Sequence, residues 1–187
     1  MSTTPRMMRR PVFKNEYLKV CTMKHCYECG TALTHKACEY EGLVPFCDSC
    51  NTFRFPIFST AVSCIIFNKT EDKILLIQQY GRPDYILVAG YISQGENAEQ
   101  TVIREVKEET GLSVIHHRYM KSEYYEKSNT LIFNYCCVVD SEDVTGMNHE
   151  VDKADWFSVN EAEAVIKKNS LAEKFLVNAL QHNALVG

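Results

Sequence analysis

Between residues 98 and 110 apolar side chains recur at helical spacing. Ala98, Val102 and Val106, with nearby Ile103, form a stripe fit to dock a helix on a sheet. Asn97 precedes the stripe and Gln100 follows it by three, the pattern of a capping box, while Gly111 supplies a C-terminal stop. A helix over 98–110 is therefore predicted. Runs rich in β-branched and aromatic residues predict strands at 61–67, 74–79, 85–88, 114–125 and 131–139. Ser158 with Glu161, and Ser170 with Glu173, repeat the capping pattern and predict two later helices, the second closing the chain over about 170–185. Strands mixed with a few helices predict an α+β or α/β sandwich.

Residues from about 20 to 52 break this pattern, being rich in cysteine and lacking apolar periodicity. Two C-x2-C knuckles, Cys26/Cys29 and Cys47/Cys50, are separated by seventeen residues. Each is followed by Gly30 or Asn51, residue types that tolerate left-handed backbone. This is the spacing of a structural zinc site, in which four thiolates close a tetrahedron and leave no open position. So small a unit would depend on Zn²⁺ to fold. Cys21, Cys38, His25 and His35 lie near enough to substitute as ligands, and unpaired or redox cysteines are the alternative. The segment Phe53-Arg54-Phe55-Pro56 is the natural junction, because its proline interrupts a strand. The expected organisation is an arm over 1–19, a ribbon over 20–52 and a larger domain over 55–187.

Composition narrows the function classes. With 45% hydrophobic and 24% charged residues, the chain of 187 supports a sizeable core. A net charge of −4 argues against a general binder of nucleic acid or membrane surfaces. No apolar run approaches the ~20 residues of a membrane span. Nine cysteines, an odd number including the adjacent pair Cys136 and Cys137, argue against a secreted disulfide framework. A reducing cytoplasmic setting is expected. The basic start, with Arg6, Arg9, Arg10 and Lys14, lacks the apolar centre of a secretory signal and reads as a solvated arm or a transit-like segment.

The predicted helix also carries Glu105, Glu108 and Glu109 at i, i+3 and i+4, so three carboxylates share a face. Like charges so placed disfavour the helix by a few tenths of a kcal/mol per pair. A hard divalent cation, Mg²⁺ or Mn²⁺, would offset this; a solvated acidic surface is the alternative. Gly90 is expected to end a strand at a sharp turn, with Gly95-Glu96 leading into the helix.

The segment from Gly90 to Leu112 resembles the Nudix box, G-x5-E-x7-R-E-U-x-E-E-x-G-U with U aliphatic. Gly90, Glu96, Arg104, Glu105, Val106, Glu108, Glu109, Gly111 and Leu112 fill its fixed places. The resemblance implies a Nudix α/β/α sandwich with a mixed sheet, preceded by a Cys₄ zinc ribbon. It implies that Glu105, Glu108 and Glu109 bind Mg²⁺ or Mn²⁺, that Arg104 pins a glutamate through a bidentate ion pair, that Glu96 supports the loop, and that the Gly90 region lends a carbonyl. The general base stays open among the three glutamates. Val88-Ala89-Gly90-Tyr91-Ile92, and Glu150 through Phe157, resemble the NADH pyrophosphatase branch, in which a zinc ribbon precedes the Nudix domain. By that resemblance Glu150 completes the metal site; a plain loop carboxylate is the other reading.

Ser122 to Thr130 departs from the S-Q-P-W-P-F-P-x-S motif of that branch: its prolines are gone and Tyr125 replaces the tryptophan. Tyr124 and Tyr125 are candidate base platforms, and alternation along a strand allows only one to face a pocket. His116 and His117 read as strand residues and Trp156 as core. The expected activity is metal-dependent hydrolysis of a diphosphate linkage in a nucleoside diphosphate derivative such as NAD(H), ADP-ribose or a dinucleotide. The competing readings are a nucleoside triphosphate pyrophosphohydrolase and a non-catalytic ligand sensor or adaptor. The ribbon's resemblance also implies a contact for a homodimer.

Overall fold

The most apolar stretch of the chain forms the centre of a six-stranded mixed sheet. Strand β4 (Ser59–Phe67) is buried along most of its length, as a strand covered on both faces must be. The computed structural model describes residues 23–182, which separate into two compact units, one ending at Ile57 and one starting at Phe58. The arm over 1–19, Cys21 and positions 183–185 of the span expected for the closing helix lie outside the described residues.

In the first unit, β1 (Thr34–Cys38), β2 (Gly42–Cys47) and β3 (Thr52–Phe53) form an antiparallel sheet in that order. Its apolar interior is slight: Val44, Phe46, Cys26 and Cys47 are buried, and Phe46 meets Phe53 edge to face at 5.1 Å. Burial on this scale does not offset the ordering of some thirty residues, so the unit needs a staple.

The larger unit has strand order β7-β8-β4-β5-β9, where β5 is Lys73–Gln79, β7 Val114–Tyr125, β8 Thr130–Val139 and β9 Val151–Ser158. The β4–β8 pair is parallel and the others antiparallel. Strand β6 (Val88–Tyr91) pairs with the first half of β4, from Ala61 to Cys64, while β5 takes Ile66 and Phe67. The sheet therefore forks beside β4. These registers bring the C-terminal ends of β5, β6 and β7 to one edge, where β4 and β8 begin.

Helix α1 (Ala98–Thr110) covers one face and packs Val102 and Val106 against Val62, Cys64, Ile66, Leu75 and Ile77. Helices α2 (Val159–Val165) and α3 (Leu171–Gln181) cover the other, where Ala162, Phe175 and Leu176 meet Ile65, Phe67, Ile74 and Leu76. The result is an α/β/α sandwich, in the α+β class. Each fully buried aliphatic side chain contributes about 1.5–3 kcal/mol. Cys64, Cys136 and Cys137 are wholly buried, so these thiols serve as small apolar groups.

The expected caps form. The Asn97 side chain accepts from the Gln100 backbone N–H, the Gln100 side chain accepts in return, and Gly111 is left-handed with φ 77°. Ser158 and Glu161 form a second capping box, and Ser170 caps α3 through the Glu173 N–H.

Three expectations need correction. The strand expected at 85–88 lies at Val88–Tyr91, and Tyr85 and Ile86 make only isolated bridges. Leu87 before it is buried without laddering and Ile86 bridges only to Ile77, whereas the free first half of β4 recruits Ala89 and Gly90 despite their poor strand propensity. Gly90 accordingly sits inside a strand opposite Val62, not at a turn. Ile103, counted in the apolar stripe of α1, is 47% exposed. Strand β9 was not among the predicted strands, since its charged residues conceal the alternation; Val151, Ala154 and Trp156 face the core.

Candidate active site and candidate metal centre

The sheet fork and the N-terminal loop of α1 enclose a cleft of about 580 Å³, within the range of small-molecule sites. Gly90 and Tyr91 of β6, Ser93, and Arg104, Glu105 and Glu109 of α1 line one side. Tyr80, Tyr125, Thr130, Ile132 and Glu150 line the rest. A second groove, beside α3, holds Lys121 and Lys174, but both are paired with Glu123, so it offers no free charge from them.

Arg104 organises the polar wall. Its Nε donates to Glu96 Oε1 at 2.7 Å and its NH2 to Glu96 Oε2 at 2.9 Å, a bidentate pair. NH1 donates to Glu105 at 2.7 Å and Glu108 at 3.0 Å, and NH2 also reaches the Tyr91 carbonyl at 3.1 Å. One guanidinium thus ties the loop, the end of β6 and two helix carboxylates together. Glu96 also accepts from the Ser93 N–H and the Thr101 hydroxyl. The Arg104 hydrogen bonds hold the Glu96 carboxyl down at about 2, and Glu96 in turn raises Arg104.

The three helix glutamates are not equivalent. Glu109 is 4% exposed, and its Oε2 has no hydrogen-bond partner. Burial pushes its carboxyl up to about 7; the charges of Glu105, Glu150 and Glu108 add to the rise. The neighbouring Gln79 amide pulls the other way, although its Nε2 closes no hydrogen bond of good geometry. Glu105 is raised chiefly by burial, against the opposing effect of Arg104. The Glu108 side chain is half exposed.

Two close backbone approaches set this geometry. A Cβ on Gly90 would stand 2.0 Å from Glu105 Cδ, so only glycine lets that carboxylate lie against β6. A Cβ on Gly111 would meet the Gly146 backbone at 2.8 Å, and this contact seats the 141–150 loop beside the end of α1. Within that loop the Asn148 N–H donates to the Glu109 carbonyl, and Asn148 Oδ1 accepts from the Glu150 N–H at 2.9 Å. Asn148 thereby positions Glu150 at the cleft. Neither Gly146 nor Asn148 stands out in the sequence, because their role is set by a contact across the fold.

Of the two candidate tyrosines, Tyr125 lines the cleft. Tyr124 donates to Asn129 and meets the Phe58 ring edge to face. His117 packs on Tyr135, and Trp156 donates to the Glu142 carbonyl while packing on the core.

A divalent cation fits this cleft. Glu109 Oε2 is a buried acceptor without a donor, Glu105 and Glu109 are both destabilised as anions, and Arg104 is largely consumed by Glu96. Oxygen donors of this kind suit Mg²⁺ or Mn²⁺.

In the smaller unit the sulfurs of Cys26, Cys29, Cys47 and Cys50 all lie within 4.8 Å of one another, with Cys29–Cys47 at 3.4 Å and Cys26–Cys50 at 4.0 Å. Tetrahedral zinc with Zn–S bonds of ~2.3 Å requires sulfur–sulfur edges of about 3.8 Å. The thiols fit that polyhedron. Arg54, almost fully buried, donates its Nε to Cys26 Sγ at 3.2 Å and pairs with Glu28. It supplies positive charge behind the thiolates, a role sequence spacing did not single out.

A family model of the NUDIX domain matches residues 58–178, most of the chain, and the protein belongs to that family. It is 26% identical over 159 residues to the NAD-capped RNA hydrolase NudC of Photorhabdus laumondii, covering 84% of this chain and 60% of that protein. With the protein of the same name from Vibrio atlanticus it shares 28% identity over 165 residues, covering 85% of this chain and 58% of the other. The chain thus spans about three fifths of the length of these relatives. Among solved structures, a NUDIX hydrolase from Nitrosomonas europaea superposes with TM-score 0.61 at 19% identity, over 87% of this chain and 93% of that one. The NUDIX domain of Shewanella oneidensis NrtR, complexed with ADP ribose, gives 0.57 at 16% identity, over 69% and 90%. These likenesses show the fold.

Proposed function

We propose that the cleft hydrolyses a diphosphate linkage in a nucleoside diphosphate derivative, NAD(H), ADP-ribose or a related dinucleotide, yielding a nucleoside monophosphate and a second phosphorylated product. The observation that carries this reading is the buried, partnerless Glu109 Oε2 beside Glu105 and Glu150 in a cleft large enough for a nucleotide. Relatives named NAD-capped RNA hydrolase and a fold neighbour that binds ADP ribose support the substrate class.

Glu105, Glu108, Glu109 and Glu150, with a backbone carbonyl of the Gly90 region, would hold Mg²⁺ or Mn²⁺. When bound, the cation supplies charge neutralisation for the diphosphate and acidifies water. Arg104 keeps Glu105 and Glu108 oriented, and Glu96 keeps Arg104 in place through its paired hydrogen bonds. One of Glu105, Glu108 and Glu109 takes the proton of the attacking water. Tyr125 offers a ring to the base. The Cys₄ ribbon would hold Zn²⁺ as a structural ion, with Arg54 balancing its negative charge. Taken with the position of Pro56, these features support reading the ribbon and the Nudix unit as separate domains.

The test is a panel of NADH, NAD⁺, ADP-ribose, diadenosine polyphosphates and nucleoside triphosphates, incubated with Mg²⁺ or Mn²⁺ and resolved by chromatography. Cleavage of a diphosphate-linked substrate, lost in Glu109→Gln, is expected. Release of pyrophosphate from triphosphates alone would assign the cleft to nucleotide-pool chemistry, and no turnover with either metal would overturn the hydrolase reading.

A further inference from the structure

Strand β5 ends in an irregularity that puts an aromatic ring at the cleft. Its register with β9 shifts between Gln78 and Gln79, beside which the chain turns sharply. The Arg82 N–H donates to the Gln79 carbonyl at 3.1 Å, closing a four-residue turn. Both central residues, Tyr80 and Gly81, have positive φ, 57° and 67°. That is the signature of a type I′ turn, whose first central position favours asparagine, aspartate or glycine. A tyrosine there serves the turn poorly. The turn is pinned from outside instead: the Gly81 N–H donates to Asp152 Oδ2 at 2.6 Å, two residues beyond Glu150.

The ring held this way is 71% exposed and lines the cleft. Its hydroxyl feels first the charge of Glu150, then burial and the charges of Glu109 and Glu105, all of which raise it. Among the described residues, Tyr80 packs on no other ring and its hydroxyl has no hydrogen-bond partner. A strained backbone, a bulge and an unused aromatic face converge where substrate would lie.

Position in the sheet indicates what the ring contacts. Tyr125 ends β7 and Tyr80 follows β5, at the same sheet edge but on opposite sides of β8, the start of β4 and the fork at β6. The carboxylates of Glu105 and Glu109 share the cleft with both. A substrate with its diphosphate at these carboxylates and a ring at each end could reach both tyrosines.

We infer that Tyr80 is a stacking platform for a heterocycle on the half of the substrate that lies toward β5, so the cleft favours a two-ringed dinucleotide over a diphosphate with a single base. This rests on the diphosphate-hydrolase reading and specifies its substrate. Tyr80 binds and selects; it takes no part in the chemical step.

The experiment compares diadenosine diphosphate, which has a nucleobase at both ends, with ADP-ribose, which has one. Wild type, Tyr80→Phe and Tyr80→Asn are assayed with Mg²⁺ for kcat and KM. The same ligands are titrated calorimetrically with Ca²⁺ in place of Mg²⁺. Asparagine suits the turn, so Tyr80→Asn should melt no lower than wild type. It should raise KM for diadenosine diphosphate about tenfold, with kcat nearly unchanged. ADP-ribose should change by less than twofold, and Tyr80→Phe should behave as wild type with both.

An equal change on the two ligands, or none, would overturn the platform while leaving the hydrolase intact. Binding that is selective for Tyr80 but unaccompanied by turnover would keep the platform and sink the hydrolase. Failure of every form to bind either ligand would overturn both.

Discussion

Glu109 is held in conflict. Packing places its carboxylate among apolar groups and other carboxylates, where the neutral form is favoured until a cation arrives. Without metal, the folded state retains a proton at Glu109 up to about pH 7, whereas the unfolded chain releases it near 4.5. Between those values the folded state binds more protons, so the stability contribution of this residue falls as pH rises through the window. Glu109→Gln removes the penalty together with the proposed metal ligand. In chelator, the variant should melt several degrees above wild type at pH 8, and the difference should vanish toward pH 4.5. Thermal unfolding at the two pH values checks this; a variant less stable than wild type at pH 8 would refute the assigned conflict. Glu96 shows the opposite sign. Arg104 depresses its carboxyl, so the stability from that pair is present above about 4.5 and lost as pH falls toward 2.

At the scale of elements, the cleft depends on how closely β6 approaches α1. The capping box at Asn97 fixes where the helix begins, and the Tyr135 hydroxyl, donating to Glu99 at 2.7 Å, ties its first turn to β8. Glu105 then lies against the Cα of Gly90. In Gly90→Ala the new methyl would overlap the carboxylate, whose side chain must swing away. Because alanine is tolerated in a strand and the clash meets a movable group, the fold should survive with unchanged circular dichroism. Activity should drop by at least about tenfold, with weaker Mn²⁺ binding, if the bound cation needs Glu105 in its present place. Retention of full activity would show that the approach of β6 to α1 is only packing.

At the scale of the molecule, the two units rest on different stabilising forces. The larger one buries two apolar clusters, both drawn entirely from residues 62–180. The smaller one has a cluster of four thiols, a buried arginine and few buried apolar residues. Metal analysis should therefore find one zinc per chain, and Cys47→Ser should lose it. Proteolysis of that variant should attack the segment 23–57 while a fragment beginning near Phe58 resists. Zinc retained in Cys47→Ser, or uniform digestion of the chain, would contradict this division.

Local signals accounted for a large part of what the structure contains. The helix bounds at Ala98 and Thr110, the caps at Asn97, Ser158 and Ser170, and the long strands were legible because capping, periodicity and β-propensity act over a few residues. The Nudix box was legible too, since its spacing is itself the turn-by-turn geometry of a loop and a helix. The cysteine knuckles were legible for the same reason. Everything set by a second strand or loop required the tertiary structure. It decided that β6 starts at Val88, because the unpaired half of β4 needed a partner. It decided that Gly90 answers a neighbouring carboxylate instead of a turn, and that Tyr125, not Tyr124, lines the cleft. It also brought Arg54 to Cys26, and Asn148 to the end of α1. A side chain's surroundings are made by segments distant in the sequence, and proximity between them exists only after the chain has folded.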